Sequence, residues 1–202
     1  MDKHQIEQAS IDLSPAFIAG VKESFPSAEI TFDRFHVVKL LNEAMNKVRK
    51  AERKEHEDLK DHKYTFLKNP ENLSEAKRQE LAEMIRLYPT LGEAYRLKTL
   101  FNDLWSMPDK PAADAFLKQW CAEVEEAKIP AFMKFARTVR AHWGGIVHYV
   151  ESHLSNGILE GINHKVQLAK RRARGYRNIG NFINMIHFLC GKLKYDYPRY
   201  FT

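Results

Sequence analysis

Apolar positions recur along most of this chain at the three-to-four-residue spacing of a helix, and only near the N-terminus do they alternate. Gln8-Ala9-Ser10-Ile11-Asp12 is short and reads as the end of a strand. Ser14-Pro15 predicts a helix start, with Ser at the N-cap and Pro at the first helical position. Phe17, Ile18, Val21 and Phe25 give that helix an apolar face, and Pro26-Ser27 ends it. Ala28 to Phe32 alternates and carries β-branched residues, which predicts a second strand. Strand, helix and strand within about 30 residues form one α/β crossover unit, normally part of a parallel sheet. Two strands do not make a stable sheet alone, so their partners are expected outside this chain or on another one.

From Val37 the pattern is helical. Val37, Val38, Leu40, Leu41, Ala44, Met45 and Val48 repeat at helix spacing, and the helix is expected to continue through the charged stretch Arg49 to Lys63. Asn69-Pro70 breaks it, Ser74 opens another helix through Leu87, and Pro89 separates that from Leu91 to Trp105. Met107 to Pro111 is a turn, followed by helices over Ala112 to Ala127 and Pro130 to Arg140. Trp143-Gly144-Gly145 interrupts the pattern before His148 to His153. After the loop signal Ser155-Asn156-Gly157 comes one more long helix with the seam Leu159, Ile162, Val166, Ala169 and Ala173, closed by Gly175 as C-cap. Asn178 to Leu193 is a last helix rich in Phe and Ile.

Composition narrows the class. A 44% hydrophobic content over 202 residues supports a buried core. The two cysteines, Cys121 and Cys190, form no CxxC pair, which fits a reducing cytoplasm. No apolar run of about 18 residues predicts a membrane span, and the first residues lack a secretory h-region. His142, His148 and His153 are spaced so that they do not share one helix face, which argues against a histidine metal module.

Charge changes the picture more. The net charge is +6, yet nine basic and two acidic residues fall between Glu160 and Thr202, so this tail carries +7 and the rest −1. The basic residues are Lys165, Lys170, Arg171, Arg172, Arg174, Arg177, Lys192, Lys194 and Arg199. Such asymmetry suits a polyanion partner; a solvated basic helix is the plainer alternative.

Three polar positions are candidates for chemistry. Asp12 follows the first strand, Asp33 and His36 follow the second, and Glu160 opens the basic helix. A carboxylate at the C-terminal end of a sheet strand is where α/β folds locate their sites. A carboxylate on a helix that becomes polybasic within three turns suits a metal beside a phosphate track. Each also has a structural reading: Asp12 as a cap of the helix from Pro15, Asp33 and His36 as a local pair orienting the next helix, and Glu160 as a first-turn acid favoured by the helix dipole. Trp143 offers a base-stacking surface or simple core packing.

Four blocks carry a family resemblance: Ile11-Asp12-Leu13-Ser14-Pro15-Ala16-Phe17, Ile30 to Lys39 with Thr31-Phe32-Asp33-Arg34-Phe35-His36-Val37, Asn156-Gly157-Ile158-Leu159-Glu160-Gly161-Ile162-Asn163, and Lys170 to Asn178. In this order the chain resembles the DDE transposases of bacterial insertion sequences, most closely the ISL-three family. The resemblance implies an α+β chain, predominantly helical, holding part of a ribonuclease H-like catalytic fold with two strands retained and a large all-α insertion. It implies a partial core over 1–38, a helical insertion over 39–154, and a C-terminal catalytic helix and basic tail over 155–202.

By position, Asp12 matches the second catalytic carboxylate and Glu160 the third, together the metal ligands; Asp33 and His36 match a structural or accessory element. Lys165, Lys170, Arg171, Arg172, Arg174 and Arg177 match a DNA-binding surface. The family's first catalytic Asp lies far upstream of Asp12, and Asp2 is too close to be that residue, so the chain is expected to be the C-terminal part of a cytoplasmic transposase and inactive alone. The implied chemistry is DNA strand cleavage and strand transfer with two Mg²⁺ or Mn²⁺ ions, on transposon ends and target DNA, by a homodimer or higher assembly. The alternative is a non-catalytic DNA-binding remnant that regulates an intact transposase.

Overall fold

The computed structural model describes residues 5–191, so Lys192, Leu193, Lys194, Asp196 and Arg199 of the basic tail, and Asp2, lie outside the described residues. The chain divides into two compact units between Leu154 and Ser155. The chain is α+β and mostly helical, with one small sheet among the described residues.

The first unit opens with β1 (Gln8–Ile11), α1 (Pro15–Ser24) and β2 (Glu29–Phe32). The strands are parallel, with Gln8 opposite Glu29 and Ile11 opposite Phe32. The second strand is the more buried: Thr31 and Phe32 are enclosed, whereas β1 is half-exposed. A two-stranded sheet needs a face to pack on, and here α8 (Trp143–Ser152) supplies it by lying across β2.

That contact explains a departure from the sequence reading. Trp143-Gly144-Gly145 does not interrupt a helix; α8 runs straight through it. A Cβ on Gly145 would lie 2.5 and 2.7 Å from the Phe32 ring and 3.0 Å from the Ile30 carbonyl oxygen. The glycine is there for close helix-to-strand approach, at the usual cost in helix propensity. Thr31 Oγ1 and Ser152 Oγ hydrogen-bond at 3.1 Å along the same seam.

The helical block comprises α2 (Arg34–Glu52), α3 (Lys63–Leu67), α4 (Glu75–Leu87), α5 (Pro89–Phe101), α6 (Lys110–Ala127), α7 (Pro130–Ala141) and α8. Its core centres on α2, α5, α6 and α7, with Leu41, Met45, Leu97, Phe101, Leu117, Trp120 and Phe132 fully enclosed. Phe101 meets Trp105, Trp120 and Phe135 edge-on at 4.8–5.9 Å, the geometry aromatic quadrupoles favour. Trp120 donates its indole N–H to the Leu97 carbonyl at 2.9 Å.

Three boundaries differ from the hydrophobic pattern. The helix expected from Val37 begins at Arg34, because Asp33 caps it. It ends at Glu52 rather than reaching Lys63, followed by a 3₁₀ turn at Glu57–Leu59 whose Leu59 returns to the core. The helix expected to run to Trp105 ends at Phe101 and tightens into a 3₁₀ stretch, Asn102–Ser106. Trp143 is half-buried, donating its indole N–H to Asp114 at 2.7 Å, the packing arrangement rather than an open stacking face.

The second unit is a helical hairpin, α9 (Gly157–Arg172) and α10 (Ile179–Cys190). Ile162, Val166 and Ala169 are its half-buried seam, while Leu159 stays 60% exposed. The turn after α9 is a Schellman motif: Gly175 N–H donates to Lys170 O and Arg174 N–H to Arg171 O. Ala173 is the C-cap of α9; the left-handed residue after it is Arg174, at φ 52°, and Gly175 follows at φ 98°. The strained, non-glycine position thus lies one residue before the glycine that marks the helix end in the sequence.

Candidate functional site

The chain leaves β1 through Asp12-Leu13-Ser14 and enters α1 at Pro15. This tight turn is held by Asp12 Oδ1, which accepts the Ser14 N–H at 2.8 Å. The bond reaches the N-cap residue rather than the first-turn amides of α1, and the Ser14 side chain makes no cap bond. Asp12 thus orders the strand-to-helix turn through one oxygen, and Oδ2 makes no hydrogen bond among the described residues.

The turn after β2 repeats the arrangement. Asp33 Oδ1 accepts the Phe35 N–H at 2.7 Å and caps α2. The Asp33 N–H donates to Ile11 O at 3.0 Å, which extends the parallel ladder by one step. Asp12 and Asp33 therefore occupy matching places past the C-terminal ends of neighbouring strands, which run about 4.8 Å apart in any sheet. They differ in burial: Asp33 is 4% exposed and Asp12 is half-buried. His36 is half-buried, donates its backbone N–H to Asp33 O at 3.1 Å, and sets its ring edge-on to Phe35.

Glu160 lies in the first turn of α9, exposed, its N–H donating to Asn156 O at 2.8 Å. Its carboxylate forms no ion pair among the described residues. At 100° per residue, Asn163, Gln167, Lys170 and Arg171 come round to the face of Glu160. Arg171, three turns on, lies about 16 Å along the same side. Lys165 and Arg172 instead flank an apolar groove of about 370 Å³ with Leu168, Tyr176, Met185 and Leu189. Arg174 and Arg177 follow the helix, both exposed. Lys170, Arg171 and Arg172 also sit in the last turn, where the helix dipole favours cations.

Asp12 and Glu160 belong to different units. Among the described residues no three His, Cys, Asp or Glu side chains gather into a metal-binding group. The donor chemistry of the two acids still suits a hard divalent cation: each offers carboxylate oxygen that no described side chain claims.

The supports beneath the strand ends are contacts between residues distant in sequence. Gly145 and Phe32 fix the depth at which α8 meets β2, and so the position of Asp33, the next residue. Lys110 Nζ bridges Glu29 and Glu151, each at 3.2 Å, tying α6, β2 and α8 together at the start of the strand. His142, edge-on to Phe32 at 5.0 Å, has its pKa lowered by burial. Only Gly145 had a visible sequence signal, a glycine inside an otherwise apolar helical run.

No helix among the described residues is long and apolar enough to cross a membrane. No solved structure matches the chain. A transposase of Bordetella parapertussis, for insertion sequence element IS1001, is 29% identical over 182 residues, spanning 86% of this chain and 45% of the relative. The transposase for element IS1557 of Mycobacterium tuberculosis is 27% identical over 202 residues, with the same shares. The chain therefore spans about 45% of the length of these curated relatives. The profile of DDE transposases of the ISL3 type, described as a transposase, matches residues 1–186, and this chain belongs to that family.

Proposed function

We propose that this chain is the part of a transposase that supplies two of three catalytic carboxylates, Asp12 and Glu160, to metal-dependent DNA strand cleavage and strand transfer. What carries this reading is the family match over residues 1–186, which takes in both acids. The β1–α1–β2 unit would then belong to a ribonuclease H-like sheet, with the helical block inserted ahead of α9.

Asp12 and Glu160 would hold two Mg²⁺ or Mn²⁺ ions, which when bound lower the pKa of an attacking water or 3′-hydroxyl and stabilise the leaving oxygen. Asp12 is prepared for this by its turn: the Ser14 N–H holds Oδ1 and leaves Oδ2 for the ligand. Asp33 keeps the α2 cap and orients the strand end beside Asp12. Lys170, Arg171 and Arg174 bind backbone phosphates, and Glu160 lies along the same side of α9 as Lys170 and Arg171. Lys165, Arg172 and Arg177 add to the positive field around that helix.

These 202 residues carry two acids of the three, so the purified chain is expected to bind DNA in a salt-dependent way and not to cut it. The test is incubation with supercoiled plasmid and Mg²⁺. Nicking that disappears in Glu160→Ala would overturn the two-of-three assignment. The exposed apolar side chains Leu159, Ile179 and Ile183 favour a second reading, in which the chain regulates an intact transposase by forming mixed assemblies. Titration into an active family member would show inhibition if that reading holds.

A further inference from the structure

The first unit is close to neutral by sequence, yet folding gathers four of its cations around one hollow. Lys50 and Arg53 lie at the C-terminal end of α2, Lys54 follows it, and Lys60 follows the Glu57–Leu59 turn. With Glu57 they line a concavity of about 490 Å³. All four are exposed, and none forms an ion pair among the described residues. By contrast, Lys77, Arg78, Arg96, Lys110, Lys118 and Arg140 are each paired with an acid.

The hollow is built on a fixed floor. Arg49 is 3% exposed and donates from Nη1 to Leu59 O at 3.1 Å, and from Nε and Nη2 to Asn46 Oδ1 at 3.1 and 3.0 Å. This guanidinium ties the 3₁₀ turn back onto α2, while the Leu59 side chain is wholly enclosed. Lys60 is thereby held opposite Lys50, Arg53 and Lys54 without a salt bridge to do it. Burial first, and then the charge of Arg53, lowers the pKa of Arg49.

We propose that Lys50, Arg53, Lys54 and Lys60 form a DNA-backbone seat on the helical block, additional to the α9 cations. The inference rests on the reading of the chain as a transposase segment. Cations held around a concave surface with their heads in water match a phosphate track, whose affinity comes from counterion release. An acidic protein segment would also be attracted, but the hollow is lined by charged residues alone, four cations and one acid, which favours a partner recognised through charge.

The test compares salt dependence of binding to a short mixed-sequence DNA duplex. The full chain is measured beside a variant with Lys50, Arg53, Lys54 and Lys60→Gln and a control with Lys118, Lys128, Lys134 and Arg137→Gln, which changes net charge equally. Circular dichroism confirms that each is folded. The seat predicts that the slope of log affinity against log salt falls in magnitude by roughly 2 to 4 in the first variant, at about 0.9 per phosphate released, and by less than about 1 in the control. Glu57→Gln is expected to tighten binding. Equal slopes in all three proteins, or equal losses in variant and control, would overturn the seat while leaving the transposase reading intact. No DNA binding by the unaltered chain would overturn that reading and the seat with it. An effect confined to polyglutamate, with DNA binding unchanged, would also overturn the seat.

Discussion

Gly145→Ala probes the joint on which the strand ends depend. In a helix interior this change ordinarily stabilises by about 1 kcal/mol, because alanine has less backbone entropy to lose. Here the new methyl would sit 2.5 and 2.7 Å from the Phe32 ring and 3.0 Å from Ile30 O. The carbonyl belongs to the backbone of β2, and the ring is 5% exposed and edge-on to His142, so neither yields without moving the strand. Overpacking of this kind costs about 1–3 kcal/mol. With the propensity gain offset, the net loss is about 0–2 kcal/mol, or up to roughly 8 °C in Tm for a chain of this size. Gly144 is the internal control, because a Cβ there meets nothing within 4 Å. Gly144→Ala should therefore raise stability by up to about 1 kcal/mol. Thermal and denaturant unfolding of both variants checks this. A Gly145→Ala protein as stable as Gly144→Ala would refute the claim that α8 meets β2 at glycine distance.

Lys98 is buried in α5, where Nζ donates to Lys68 O at 2.9 Å, and desolvation lowers its pKa to about 8. The unfolded chain holds this proton up to about pH 10.4, so Lys98 makes stability rise with pH between about 8 and 10.4. Lys98→Met should flatten that rise, read from urea midpoints across the window; Lys68 O keeps the Tyr95 hydroxyl at 3.1 Å as a donor. Asp33→Ala should cost about 1–2 kcal/mol through loss of the α2 cap, with Asp33→Asn retaining most of it. Arg174→Gly should relieve the left-handed backbone and slow amide exchange at Gly175, while reducing the DNA salt slope by up to about 1.

Much of this architecture was legible from residue order because its signals are local. Pro15 and Pro89 sit at the first turns of α1 and α5, Ser74 accepts from the Lys77 N–H, and alternation marked β2. The acids Asp12 and Glu160 stand out because they lie in the sequence blocks that carry the family resemblance. What the sequence concealed depends on contacts distant along the chain. Gly145 looks like a helix breaker until Phe32 is seen against it. The stretch after Glu52 keeps a helical composition, yet the chain turns because Leu59 is drawn into the core and Arg49 holds its carbonyl. Charge counted along the chain located the tail but passed over the four cations around the hollow, since Lys60 joins the others only through that turn.

The central proposal, that Asp12 and Glu160 both serve as metal ligands, is tested most directly by iron(II)-mediated oxidative cleavage of the polypeptide itself. Fe²⁺ bound in place of Mg²⁺ would convert added hydrogen peroxide to hydroxyl radical at the site, with ascorbate returning Fe³⁺ to Fe²⁺, and the fragments map the chain that surrounds it. The account predicts backbone cleavage near both Asp12 and Glu160 in the same protein, suppressed by excess Mg²⁺ and lost from both places in either Asp12→Asn or Glu160→Gln. Cleavage near only one of the two, or a fragment pattern unchanged by both substitutions, would contradict it.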